Sequence, residues 1–263
     1  MVENASSIPS LFAWPSALER GASLPAISVV APMHNEAGGA ALLVSEIAEA
    51  FEGEHYEIVI VDDGSSDETL KILKQAQTQF PQLRILRHHK QAGQSRALRT
   101  GVLGAKGEII AMLDGDGQNN PADLPGLLAC LREGPPILAM VGGERENRKD
   151  STAKKWASGA ANAIRSRALK DGAADTGCGL KVFYREAFLR LAYFDHMHRY
   201  LPALMRREGF EVTFRPVSHR HRVHGASKYT NIGRFAVAIR DLLGVLWLLG
   251  RSRSPGEIEE IVE

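Results

Sequence analysis

Early in the chain an apolar run gives way to a polar loop and then to residues with helical spacing, and the pattern repeats. "AISVVAPMHNE" reads as a buried strand, Ile27 to Ala31, ending in a polar loop, and "GGAALLVSEIAEAFE" has the apolar spacing of a helix. "YEIVIVDDGSSDETLKILKQAQTQF" does the same: its strand is Glu57 to Val61, its loop is acidic, and Ser66 or Asp67 is placed to cap the helix that follows. "LRILRHH" is a third strand, "QSRALRTGVLGA" a third helix and "GEIIAML" a fourth strand. Strands alternating with helices predict an α/β fold, Rossmann-like, with a doubly wound, mainly parallel sheet.

In such sheets ligands bind beyond the carboxyl ends of the strands. The loops "HNE", "DDGSSD" and "DGDGQNN" all fall there, so three polar loops converge on one edge. In the last, Asp114 and Asp116 alternate along the chain, Gln118 continues the phase, and glycines separate them. An extended segment would put all three side chains on one side. Their oxygens are hard ligands suited to Mg²⁺ or Mn²⁺. An EF-hand reading fails, because its sixth position would be Asn119 and its twelfth Pro125. A phosphatase with an aspartyl nucleophile needs a later pair of adjacent acids, and none follows before Glu259 and Glu260. An ordinary polar turn is the remaining alternative.

The second half is less regular. "STAKKWASGAANAIRSRAL" and "REAFLRLAYF" read as helices, "GCGLKVFY" as a strand with a glycine-rich lead-in, and "FEVTFRPVSHRHRVHGASKY" as a strand running into a basic loop. Arg206, Arg207, Arg215, Arg220, Arg222 and Lys228 crowd one segment, which predicts either a local anionic partner or a solvated face. The net charge of +1 gives no general reason to bind nucleic acid. Cys130 and Cys178 form no metal set or disulfide framework, and the N-terminal stretch, broken by Pro9 and Pro15, does not read as a signal peptide. A cytoplasmic protein is expected. Its division is an arm (1–25), a catalytic domain (26–230) and a C-terminal amphipathic helix with tail (231–263).

That helix, "IGRFAVAIRDLLGVLWLLGR", groups Arg234 and Asp241 on one face with Arg240 nearby. Its longest apolar run, Leu242 to Leu249, is eight residues, against roughly 20 for a spanning helix. Lying in the membrane interface, with Trp247, Arg251 and Arg253 at headgroup level, fits it as well as packing on its own domain or in a homo-oligomer does.

"VVAPMHNE", "VDDGSSDET", "DGDGQ" and "RVHGASK", in that order, resemble the family 2 glycosyltransferases, in particular the dolichol- and polyprenyl-phosphate sugar synthases. The resemblance runs from about Ile27 to Lys228. It implies a GT-A fold, a nucleotide-sugar donor (UDP- or GDP-sugar), a divalent metal and inversion at the anomeric carbon. By motif, Pro32, Asn35 and Glu36 line the nucleotide pocket, Asp63 and, with less support, Asp62 contact base or ribose, and Asp114, Asp116 and Gln118 hold the metal. The family's S-x-x-x-N helix corresponds to Ser158 and Asn162, but the arginine expected before it is Lys154. Likewise "S-G-F-R" is here Cys178 to Lys181, and lysine is the weaker bidentate phosphate ligand.

A sugar-hydroxyl acceptor needs a base, for which Asp175 is the candidate; a lipid phosphate is already anionic. For polyprenyl phosphate at the inner face of the cytoplasmic membrane, Arg222 and Lys228, supported by Lys154 and Ser158, form the expected anion site, with Asp116 as the catalytic carboxylate at the metal. A hydroxyl-acceptor transferase and a non-catalytic nucleotide-sugar module are the alternatives. A Zn²⁺ site at His219, His221 and His224 lacks a supporting cluster, and Cys178, with no identifiable base, reads as packing.

Overall fold

The computed structural model describes residues 24–145, 165, 168–173, 175, 177–218, 220 and 231–251. The four predicted strands form as β1 (Ile27–Met33), β2 (Tyr56–Asp63), β3 (Leu83–His88) and β4 (Ile109–Met112). They are joined by α1 (Ala40–Ala50), α2 (Thr69–Ala76) and α3 (Gln94–Gly104). β1 and β2 run two residues further than apolarity alone predicts, because Pro32, Met33, Asp62 and Asp63 stay in register with their neighbours.

Past β4 the chain adds α4 (Leu124–Glu133) and β5 (Leu138–Arg145), neither of which the sequence reading assigned, then β6 (Lys181–Tyr184), α5 (Arg185–Arg190), α6 (Leu201–Arg207), β7 (Glu211–Val217) and α7 (Asn231–Leu249). Among the described residues the strands make one seven-stranded sheet, in the order β3-β2-β1-β4-β6-β5-β7. β6 is antiparallel to both its neighbours, and every other pairing is parallel.

β1 is buried along its whole length because helices cover both faces of the sheet. Its side chains alternate accordingly. Ile27, Val29, Ala31 and Met33 join the α1, α2 and α4 side, with Leu43, Ile47, Leu73, Leu127 and Leu131. Val30 faces the other layer with Val59, Leu98 and Val102, where α5, α6 and α7 contribute Phe188, Leu204 and Val245.

The connection after β1 leads to β2 on one side, whereas α3 carries the chain from β3 back across to β4 on the other. The strand order therefore reverses between β1 and β4. A crevice opens at such a reversal, outside the carboxyl ends of the strands.

Candidate functional site

Two loops at this edge are buttoned together. Asn35 has left-handed backbone (φ 55°), and its amide oxygen accepts from Ser66 N (2.8 Å) and Asp67 N (3.4 Å). In return, Asn35 N donates to Ser65 Oγ (2.9 Å), Glu36 N to Thr69 Oγ1 (2.9 Å) and Ala37 N to Asp67 Oδ2 (3.2 Å). Asp67, rather than Ser66, heads α2 by accepting from Thr69 N at 3.0 Å. Pro32 is buried within β1, opposite Val61.

The paired aspartates of the second loop behave differently from each other. Asp63 Oδ1 accepts from His88 Nδ1 (2.7 Å) and Ala92 N (2.8 Å), and Oδ2 from Gly93 N (2.8 Å). It thereby holds the 88–93 loop against β2. Asp62 is fully buried; its Oδ1 accepts from Ser65 N at 3.0 Å, while Oδ2 has no hydrogen-bond partner and lies 3.5 Å from Arg87 Nε. A carboxylate oxygen accepts two donors, so capacity remains at Asp62 Oδ2 and at Asp63 Oδ2.

The acidic segment is a turn and not the extended run that its alternation implies. Leu113 N still donates to Val30 O (3.2 Å), but at Gly117 the backbone takes φ +73°, a conformation glycine tolerates without strain. Gln118 N then folds back to Asp116 Oδ1 at 3.1 Å. Asn119, buried, accepts from Asp114 N at 3.0 Å, and Gln94, the first residue of α3, donates Nε2 to Asp114 Oδ1 at 2.6 Å. Asp114, Asp116 and Gln118 therefore remain on one short turn, positioned by Asn119 and Gln94.

Burial, and then the neighbouring charge of Asp116, push the Asp114 carboxyl up to about 6 against the opposing pull of Lys181, Arg145 and Gln94. Two carboxylates crowded in this way, beside a neutral amide oxygen donor, are a donor set that suits a hard divalent cation. The lead-in to β6 packs directly on the turn: a side chain at Gly179 would collide with Asp114 Oδ2 and Asn119 Oδ1.

Behind the turn lie cations. Lys181, expected among the acceptor contacts, is only 4% exposed, and its ammonium donates to the Cys178 carbonyl. Burial lowers its pKa. The Cys178 thiol is itself buried and pushed up by burial, which fits packing and not nucleophilic chemistry. Arg145 clasps Asp175 with a two-pronged ion pair, Nε to Oδ2 at 2.5 Å and Nη2 to Oδ1 at 2.8 Å.

The basic segment divides. Arg206 donates to the Lys170 and Val212 carbonyls, Arg207 binds Glu208 and the Leu248 carbonyl, and Arg215 is exposed on β7. Arg220 alone of the described members reaches the acidic turn. Its backbone N donates to Gln118 O (3.1 Å), and its guanidinium to Asn120 Oδ1 and to Glu46 Oε1 (2.6 Å each). Ser218 N and Oγ reinforce the junction through Asp123 Oδ2, at 3.0 and 2.7 Å.

Lys154, Ser158, Asn162, Arg222, Lys228 and the three histidines His219, His221 and His224 lie outside the described residues. Sequence reasoning missed Gln94 and Arg145, which come from α3 and β5 and carry no local signature. It passed over Asn119 although that residue stands inside the quoted acidic stretch.

The model of Glycosyl transferase family 2 matches residues 28–191, more than half of the chain. The chain belongs to glycosyl transferase family 2. Among relatives, it is 34% identical over 238 residues to the dodecaprenyl-phosphate galacturonate synthase of Rhizobium johnstonii, covering 88% of this chain and 69% of that protein. It is 32% identical over 207 residues to the undecaprenyl-phosphate 4-deoxy-4-formamido-L-arabinose transferase of Edwardsiella ictaluri, covering 77% of this chain and 62% of the relative.

The fold of this family 2 glycosyltransferase is GT-A. It superposes on the glucosyl-3-phosphoglycerate synthase of Mycobacterium tuberculosis, solved with Mn²⁺, uridine-diphosphate-glucose and glycerol 3-phosphate, with a TM-score of 0.65 at 16% identity, over 88% of this chain and 82% of the other. A Pyrobaculum calidifontis mannosyltransferase in complex with GDP-Man and Mn²⁺ gives a TM-score of 0.62 at 20% identity, over 88% and 71%.

Proposed function

We propose that this glycosyltransferase moves a sugar, with inversion, from a UDP- or GDP-sugar to polyprenyl phosphate at the cytoplasmic face of the membrane. The observation that carries the reading is the junction of Arg220 and Ser218 with residues 118–123, which brings the start of the basic segment against the acidic turn. Arg222 and Lys228 follow within the same segment. Positive side chains beside a metal loop serve an acceptor that arrives already anionic. The named relatives, with lipid-phosphate products or acceptors, support this choice.

In this reading Pro32, Asn35, Glu36, Asp62 and Asp63 form the nucleotide pocket, with Asp62 Oδ2 and Asp63 Oδ2 as acceptors for base or ribose donors. Asp114, Asp116 and Gln118 hold Mg²⁺ or Mn²⁺, which when bound neutralises charge building on the departing nucleoside diphosphate. Gln94 and Asn119 fix the turn so that its carboxylates keep their aim. Lys154, Ser158, Arg222 and Lys228 orient the lipid phosphate. Lys181, buried beneath the turn, acts as a fixed counter-charge to it and not as an acceptor ligand.

The fork from Arg145 argues against a hydroxyl acceptor. Both oxygens of Asp175 are committed to a guanidinium, and a carboxylate so paired is a poor proton acceptor. The deciding assay incubates a panel of nucleotide sugars with polyprenyl phosphate and Mn²⁺, followed by mass analysis of the lipid. Glycosylated lipid phosphate is expected, together with no product from the corresponding polyprenol. Equal rates with the alcohol overturn the reading.

A further inference from the structure

The outward face of α7 is unlike the rest of the surface. Among the described residues six large apolar side chains are exposed, and three of them, Ile239 (44%), Leu243 (62%) and Trp247 (63%), recur at four-residue intervals on this helix. Residues four apart lie on one side of a helix, so they form a single ridge. The opposite side of α7 is accounted for: Val245 enters the core, and Asp241 Oδ2 pairs with His196 Nδ1 at 2.8 Å. The polar face expected to meet water therefore turns toward the protein at Asp241, and much of the apolar face meets solvent.

The charges along the ridge have one sign. Arg240 and Arg251 are the exposed charged residues of the described helix and its end, and the Arg251 guanidinium stands 5.5 Å over the Trp247 ring. With its acid turned inward, the outer face presents leucine, isoleucine and an indole flanked by arginines. That composition matches the boundary of an anionic bilayer, where indole and guanidinium sit at headgroup depth. A second copy of the chain fits less well, since a two-fold contact along this ridge brings arginines toward arginines. No helix among the described residues is long and apolar enough to cross a membrane.

The ridge is also tied to the site. His196, paired with Asp241, is two residues from His198, which hydrogen-bonds Ser95 Oγ at 2.7 Å; the residue before Ser95 is Gln94, which holds Asp114. We propose that the Ile239–Leu243–Trp247 ridge, with Arg240 and Arg251, docks on the surface of an anionic phospholipid bilayer. The inference rests on the lipid-phosphate reading above, and it names the surface that brings the acidic turn to such an acceptor.

The test is co-sedimentation of the full chain with vesicles of phosphatidylglycerol and phosphatidylcholine in equal parts. The wild type should sediment with them, less so with phosphatidylcholine alone or at high salt. The double variant Leu243→Ser, Trp247→Ser should lose about tenfold or more in partitioning. Leu42→Ser, which removes a comparably exposed apolar side chain (64%) from α1, should change nothing. Circular dichroism of each variant checks folding.

Wild-type partitioning by the double variant overturns the proposal. So does a wild-type dimer in sedimentation equilibrium that the double variant dissociates, since the ridge would then be a subunit contact. Turnover with a short, water-soluble prenyl phosphate separates the two readings. Equal turnover by wild type and double variant, with vesicle binding lost only in the variant, is the expected result. Vesicle binding through the ridge without any turnover counts against the transferase reading and leaves the docking surface standing.

Discussion

Gln94 touches the acidic turn from a different element, and its 2.6 Å hydrogen bond fixes one oxygen of Asp114. Partners of this kind orient a metal ligand without binding the metal, and losing one commonly lowers metal affinity by about 10–100-fold. Gln94→Ala should do so in calorimetric titration of Mn²⁺ with nucleoside diphosphate, while thermal stability stays near that of the wild type. His198 supports a second prediction. Burial, reinforced by Arg199, Lys181 and His196, lowers its pKa from 6.5 to about 3. The unfolded chain then binds the extra proton between those values, so stability is full above 6.5 and is lost as pH falls toward 3, at up to about 1.4 kcal/mol per pH unit. His198→Asn should flatten that slope in urea unfolding compared at about pH 7 and about pH 5. At this scale the sequence was legible where residues act in a local run, as Asp114, Asp116 and Gln118 do. It was not legible where partners come from distant strands: nothing beside Gln94 or Arg145 says what it will meet, and the burial of Lys181 depends on β4 and β5 closing over it.

The parallel strands need fastening at the end away from the site, and Glu57 does it. Buried at the start of β2, it accepts from Ser28 Oγ on β1 and Lys106 N before β4 (2.6 Å each), and from Arg84 Nη1 on β3 (2.5 Å). Burial alone would raise its pKa, but these donors outweigh it and hold the carboxyl below the usual range. Glu57→Gln should destabilise the fold by about 2–4 kcal/mol in chemical denaturation, because it strands partners of a buried charge. Activity per folded molecule should be unchanged, since the clasp is a strand's length from the acidic turn. Elements with a clean period were readable: β1 to β4 and their helices follow from apolar runs and spacing. α4 and β5 escaped notice because "PADLPGLLACLREGPPILAMVGGER" begins with prolines and carries glycines within its strand, which weakens both patterns. The turn form of 114–118 was hidden for a related reason, because alternation predicts an extended run until a left-handed glycine folds it.

For the whole molecule, ligand and metal should act as one stabilising unit, because the nucleotide loops of β1 and β2 and the turn after β4 meet at a single reversal of strand order. At a hundredfold excess over the dissociation constant, nucleoside diphosphate with Mn²⁺ should add about 2.7 kcal/mol. Differential scanning fluorimetry should show this as a rise of several degrees in Tm that EDTA abolishes and Asp114→Asn prevents. The doubly wound architecture was predictable because each β-loop-α unit repeats the same arithmetic. The reversed strand was not, since polarity within a sheet depends on where the chain returns and not on its residues. That reversal has a further consequence. The chain leaves the rim of the crevice at Arg145 and comes back to the same rim at Lys181, since β6 starts where β4 and β5 finish. Residues 146–180 are thus an excursion pinned at both feet beside the carboxylates. Lengthening or rewriting that stretch changes what guards the opening while every rung of the ladder stays in place, which is a route by which one scaffold can be re-tailored to another acceptor.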